Sequence, residues 1–240
     1  MKGPLFFAKI LLFGEYGIIK DSKGLSIPYN FYRGALKIPS ENTLVNKSSH
    51  DKLLAFSEYL KTLDDALVSF NWVQLDHDLA KKMYFDSSIP QGYGVGSSGA
   101  LVAAIYDQYG LNKITVLENL TKDKLQYLKI IFAEMESFFH GQSSGLDPLN
   151  SYLSLPILIK SKEHVETTGI PSQHITGSGA VFLLDSGIIG ETAPMIFIFK
   201  ENMKQEAFST MMREKFIKYS DECVEDFLKG NMVSLFKNIK

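Results

Sequence analysis

Glycine occupies alternate positions in Gln91-Gly92-Tyr93-Gly94-Val95-Gly96-Ser97-Ser98-Gly99, and the serine pair stands where a run of small and apolar residues begins. Glycine takes positive φ without a Cβ penalty, so Gly92, Gly94 and Gly96 can turn their N–H groups inward and let the backbone approach a ligand. From Ser98 to near Gly110 the residues read as a helix, whose first turn offers unpaired donors and partial positive charge. The combination is an anion cradle that suits a polyphosphate. Gly94 to Gly99 also satisfies G-x-G-x-x-G, but the dinucleotide pattern needs a buried strand before it. What precedes is Asp86-Ser87-Ser88-Ile89-Pro90, polar and closed by a proline. A Walker loop is excluded because no lysine precedes Ser97 or Ser98. An ordinary glycine-rich turn capping a packed helix is the plain alternative, against which the hydroxyl pair favours phosphate.

Charged residues recur at two other places. Lys9 lies inside Leu5–Phe13, an apolar and aromatic run that reads as a strand broken by Gly14, where a lysine is ordinarily a snorkelling edge residue. Thr121–His140 is the clearest helix in the chain, with Leu125, Leu128, Phe132, Met135 and Phe139 at three-four spacing, Thr121 as cap and Gly141 as stop. Glu136 borders that stripe near the helix end, where a carboxylate opposes the dipole and calls for a cation. Asp147 with Pro148 would make an N-cap and first-turn pair, a plain alternative that is set aside for Asp147, whereas His140 is read as pairing with the last helix carbonyls.

These residues resemble the motifs of the GHMP kinases, the galactose, homoserine, mevalonate and phosphomevalonate kinases. Pro90-x-x-x-Gly94-Val95-Gly96-Ser97-Ser98-Gly99 resembles their phosphate-binding motif P-x-x-x-G-L-G-S-S-A, with Val95 for Leu and Gly99 for the usual Ala. Lys9 to Tyr16 is similar to the first motif P-G-K-V-I-L-x-G-E-H of mevalonate kinases. There Phe7-Ala8 replaces Pro-Gly, and Tyr16 stands where those kinases have His. Glu136 to Asp147 resembles E-x-x-x-H-G-x-P-S-G-x-D and departs only at Ser143, where the pattern has Pro. More weakly, Asp185 to Thr192 resembles a turn that brings a Thr near the substrate.

The resemblance implies a two-domain GHMP kinase fold, α+β or α/β. An N-terminal ATP-binding domain of the ribosomal protein S5 domain 2-like type would cover 1–154, and an incomplete ferredoxin-like C-terminal domain 155–240. It implies ATP on Gly92, Gly94, Val95, Gly96, Ser97, Ser98 and Gly99, with Mg²⁺ held through oxygen by Ser98 and Glu136. Asp147 would take the acceptor proton or orient the hydroxyl, and Lys9 would balance its charge and steady the transferring phosphoryl. Glu15, Tyr16 and Thr192 would lie by the acceptor. The activity implied is phosphorylation of the mevalonate hydroxyl in isoprenoid biosynthesis. A phosphomevalonate or sugar kinase, or a non-catalytic nucleotide-binding relative, stays open. After Gly190 the only glycine is Gly230, so the third family motif, K-x-x-G-x-G-G-G-G, has no counterpart. The expectation is a truncated form of a longer protein that associates with a copy or a partner; a short natural variant closed by another chain is the alternative.

Other elements must position these groups. Ser26 to Ile38 alternates aromatic and polar residues and is expected to form a hairpin turning near Arg33-Gly34. Helices are expected at Ser49–Leu63 and Gln74–Met83, the latter with His77 on its surface, and from Asn202 to the end. Strands are expected at Leu155–Lys160 and Ala180–Leu184, while Pro194–Lys200 is ambiguous between strand and helix. With 240 residues, 45% hydrophobic and 22% charged, the composition is that of a globular protein with room for a sizeable core. A net charge of −2 gives no footprint for nucleic acid or an anionic membrane, so a small molecule is the expected partner. The single Cys223 excludes an internal disulfide and reads as a buried thiol. Lys9 interrupts the N-terminal apolar run, and no run approaches the roughly 20 apolar residues of a membrane span, so a cytoplasmic location is expected.

Overall fold

The structure is a computed structural model that describes residues 4–40, 46–115, 120–171, 183–190 and 192–239, the side chains of 192 and 193 excepted. In order come β1 (Phe6–Phe13), a 3₁₀ turn (Gly17–Lys20), β2 (Gly24–Lys37), α1 (Lys47–Leu60), α2 (Trp72–Ala80), β3 (Tyr84–Ser87), α3 (Ser97–Tyr109), α4 (Lys122–His140) and α5 (Leu146–Leu153). Then follow β4 (Ile157–Ser161), β5 (His164–Thr167), α6 (Thr192–Asn202), α7 (Glu206–Met211), a π-helical stretch (Met212–Ile217), α8 (Lys218–Lys229) and α9 (Met232–Asn238). No helix among the described residues is long and apolar enough to cross a membrane.

The chain forms two compact units, and β1 and β2 run through both: one comprises Met1–Ile10, Pro28–Pro90 and Val95–Leu155, the other Leu11–Ile27, Gln91–Gly94 and Pro156–Lys240. In the first unit the end of β2 pairs antiparallel with β3, Gly34 opposite Ser87 and Lys37 opposite Tyr84. The expected hairpin at Arg33-Gly34 is therefore a single strand. Gly34 serves close approach rather than a turn, since a Cβ there would lie 2.2 Å from the Phe85 ring of β3. A strand does precede the glycine loop, but it is short and antiparallel, so the parallel unit of a dinucleotide fold is not built.

The helices of this unit begin where side chains satisfy their first N–H groups. Asn46 caps α1 through the Ser49 amide, Asn71 caps α2 through Gln74, and Thr121 caps α4 through Lys124. The core is built on α3, whose residues from Gly99 to Tyr106 are all buried, against Leu128, Phe132 and Met135 of α4 and Leu149 of α5. Edge-to-face contacts join Tyr106 to Phe132 and to Tyr152 at 5.1 and 5.3 Å.

In the second unit the start of β2 pairs with β4, Gly24 opposite Ile159, and β4 pairs with β5, Ile157 opposite Thr167. Leu25, Leu158 and Val224 are buried together, and Phe13 meets Phe227 edge-on at 5.8 Å. Lys23 ties β2 to α8 through Glu225 at 2.6 Å, while its backbone N–H donates to Asp221 at 2.7 Å. Pro194–Lys200 resolves as part of α6, and Cys223 is buried as expected. Most of the strand expected at Ala180–Leu184 lies outside the described residues.

Candidate active site

The start of α3 is shaped by Gly96, a cap residue with φ +81°, in the left-handed region where a side chain would be strained. The first N–H to bond back within the helix is that of Ala100, to the Gly96 carbonyl at 3.0 Å. The amides of Ser97, Ser98 and Gly99 therefore open from the helix end, where anions bind. Strand β1 fixes the loop, because the Lys9 N–H donates to the Val95 carbonyl at 3.0 Å.

That pairing brings the Lys9 side chain beneath the loop. A Cβ on Gly96 would lie 3.0 Å from Lys9 Cγ and 3.8 Å from Asp147 Oδ2. Lys9 is 8% exposed, and its Nζ is 3.0 Å from Asp147 Oδ1. It is thus not the snorkelling edge lysine of the plain reading: strand alternation turns it inward, onto a carboxylate. Asp147 is not a helix cap either, since Gly145 holds that position and Asp147 sits within the first turn of α5. Gly99 lets α5 come close, as a Cβ there would lie 2.7 Å from both the carbonyl carbon of Asp147 and the nitrogen of Pro148.

Glu136 is 3% exposed on α4, inside the core rather than at its border. Ser98 Oγ donates to its Oε1 at 2.9 Å and Ser143 Oγ to its Oε2 at 2.5 Å. His140 Nε2 lies 3.0 Å from Ser98 Oγ; with the serine proton given to Glu136, the imidazole N–H is the donor. Burial, and then the nearby charge of Asp147, push the Glu136 carboxyl up to about 7, against the pull of the two serine hydroxyls and Lys9.

The structure thus gathers Lys9, Gly96, Ser98, Glu136 and Asp147 in one unit. Gly92 and Gly94 belong to the other unit, where each has positive φ; the Gly190 N–H donates to the Gly92 carbonyl at 2.9 Å, so the 185–190 turn lies against the loop. Glu15 and Tyr16 are in that unit too, Glu15 exposed and Tyr16 with φ 58° and its ring 5.2 Å from Phe199. The side chain of Thr192 lies outside the described residues.

Two participants escaped the sequence reading. His140 reaches Ser98 rather than serving only the helix end; its spacing of four from Glu136 on one helix face was the available signal. For Ser143 the signal was its departure from the proline of the motif, which by itself does not say what the hydroxyl meets.

Among the described residues no three His, Cys, Asp or Glu side chains converge as a metal site. Ser98 and Glu136 offer hard oxygen donors, a set that fits Mg²⁺, which takes few protein ligands and completes its shell with water and phosphate oxygens.

Residues 59–154 match the family described as the GHMP kinases N terminal domain. Those residues carry a GHMP kinase N-terminal domain. No curated protein sequence matches it significantly. Among solved structures, mevalonate kinase from L. major in complex with R-mevalonate is similar at a TM-score of 0.56 and 16% identity, covering 99% of this chain and 75% of that one. The Methanococcus jannaschii mevalonate kinase follows at 0.52 and 14% identity, covering 95% of this chain and 73% of that one. The chain therefore shares the mevalonate kinase fold.

Proposed function

We propose that this protein is a GHMP kinase that transfers the γ-phosphoryl group of ATP to the primary hydroxyl of mevalonate, the phosphorylation that serves isoprenoid biosynthesis. The observation that carries the reading is Lys9 Nζ at 3.0 Å from Asp147 Oδ1, beside the Gly96 backbone and the open end of α3. A carboxylate with a buried ammonium next to an anion-binding helix start is an arrangement for moving a phosphoryl group to a hydroxyl. The likeness in fold to a kinase solved with R-mevalonate supports the choice of acceptor.

In this reading Asp147 orients the acceptor hydroxyl and receives its proton as the oxygen bonds to the γ-phosphorus. The bond from that phosphorus to the bridging oxygen breaks, and ADP leaves. Lys9 compensates charge on the phosphoryl oxygens. The backbone amides at Gly96–Gly99, together with Gly92, Gly94 and Val95 of the loop, hold the phosphates. Ser98 and Glu136 would hold Mg²⁺, which when bound neutralises phosphate charge. Glu15, Tyr16 and Thr192 are the proposed acceptor-side residues. A phosphomevalonate or sugar acceptor is the second reading, favoured by Tyr16, a phenol where mevalonate kinases have His.

An ADP-release assay with mevalonate, phosphomevalonate and several sugars tests the proposal, alongside calorimetric titration with Mg-ATP. Turnover with mevalonate above the others is expected. Binding of Mg-ATP with no turnover on any acceptor would make the chain a nucleotide-binding relative instead.

A further inference from the structure

Ser143 is the one residue of the Glu136–Asp147 segment that departs from the family pattern, and its hydroxyl is used both as donor and as acceptor. It donates to Glu136 Oε2 and accepts the Gly145 N–H at 3.0 Å. Gly145 in turn is clamped against α4: it has φ +72°, and a Cβ there would lie 2.1 Å from the Lys129 carbonyl oxygen. The turn backbone therefore aims the Ser143 hydroxyl at one carboxylate oxygen. Ser98, on the other oxygen, stands at the half-buried helix start beside the exposed His140, so its hydroxyl can turn from Oε1 to a ligand. A proline at 143 has no hydroxyl and would leave both oxygens equally available.

We propose that Ser143 divides the Glu136 carboxylate, retaining Oε2 for the protein and leaving Oε1 alone for a divalent cation, so that the site discriminates against Ca²⁺ in favour of Mg²⁺. This rests on the proposed role of Ser98 and Glu136 as metal ligands. The physical ground is the difference between the two ions. Mg²⁺ keeps a tight octahedron at about 2.0–2.1 Å with single carboxylate oxygens, whereas Ca²⁺ takes six to eight oxygens and gains from a bidentate carboxylate. A hydrogen bond that occupies Oε2 withholds the second oxygen from Ca²⁺ and costs Mg²⁺ nothing. Ser143 acts through Glu136 and is a positioning residue.

The test uses the full chain with Mn²⁺ and a non-hydrolysable ATP analogue, bound Mn²⁺ being read by electron paramagnetic resonance. Mg²⁺ and Ca²⁺ are titrated as competitors, and the ratio of their displacement midpoints is compared. That ratio does not depend on the fraction of protein folded, so a poorly folding variant does not imitate the effect. Ser143→Ala is expected to shift the ratio towards Ca²⁺ by at least about threefold, and Ser143→Thr, which keeps the hydroxyl, to hold the parent ratio. An unchanged ratio in Ser143→Ala, with Mn²⁺ binding still abolished by Glu136→Gln, overturns this inference and leaves the proposed function standing. Mn²⁺ binding indifferent to Glu136→Gln overturns the metal role itself, and this inference with it.

Discussion

Two carboxylates are buried in the same unit, Asp78 on α2 at 4% exposure and Glu136 on α4 at 3%, and their surroundings differ in kind. Asp78 accepts from Gln74 Nε2 at 3.0 Å to each oxygen, from the Tyr109 hydroxyl at 2.9 Å, and pairs with His77 Nδ1 at 3.2 Å. Burial pushes its carboxyl up, but the hydrogen bonds from Gln74, Tyr109 and His77 outweigh it, and the net direction is downward. For Glu136 burial and the like charge of Asp147 outweigh the two serine hydroxyls and the charge of Lys9, so its direction is upward. A buried acid with its donors complete is a structural brace. One left short of positive charge is the place proposed here for a cation.

The largest test of this contrast removes the neighbour that Glu136 has and Asp78 lacks. Asp147→Asn is expected to lower kcat by about 10²–10⁴-fold while nucleotide affinity, measured by calorimetry, stays within a few-fold. Undiminished turnover would refute the assigned role. Next, Ser98→Ala and Glu136→Gln should each raise the Mg²⁺ concentration needed for half-maximal activity, by about tenfold or more, whereas Asp78→Asn should leave that curve superimposable on the parent.

Stability should reverse the ranking. Asp78→Asn is expected to cost about 1–3 kcal/mol at neutral pH, since it breaks a filled set of hydrogen bonds. Because the folded-state value of Asp78 is depressed, its contribution is present above the ordinary aspartate range and lost as the pH falls through the folded value. The gap between parent and variant should close in acid. Glu136 has the opposite sign: its folded-state value is raised, so its contribution is present at low pH and lost as the pH rises through about 7. Urea unfolding at pH 5 and pH 8 should therefore show Glu136→Gln gaining on the parent at the higher pH. A variant that loses ground there would mean that Glu136 is a brace like Asp78. The smallest effect is reserved for Tyr109→Phe, about 1 kcal/mol, since Asp78 keeps its Gln74 and His77 partners.

How much of this could be read in advance depends on the range of the forces involved. Thr121 and Gly141 bound α4 through bonds to residues three or four positions away, and that is why its limits followed from the residues alone. The glycines of the loop announce positive φ by lacking a Cβ, and Gly92, Gly94 and Gly96 all adopt it. The expected turn at Gly34 failed because the same missing Cβ also permits close approach, and only the Phe85 ring distinguishes the two. Lys9 and Asp147 were named together from motifs, but their separation is set by β1 pairing with the loop at Val95 and by α5 pressing on Gly99. The amino-acid sequence by itself determined the limits of α4, the presence but not the exact starts or caps of α1 and α2, the backbone freedom of the loop and the residue types available for chemistry, because each depends on near neighbours along the chain. Tertiary structure decided which of two buried acids is satisfied, and that Ser143 joins Glu136 while His140 joins Ser98. Burial, and the Tyr109 and Ser98 hydroxyls that reach these acids, come from segments distant in sequence, which no local pattern encodes.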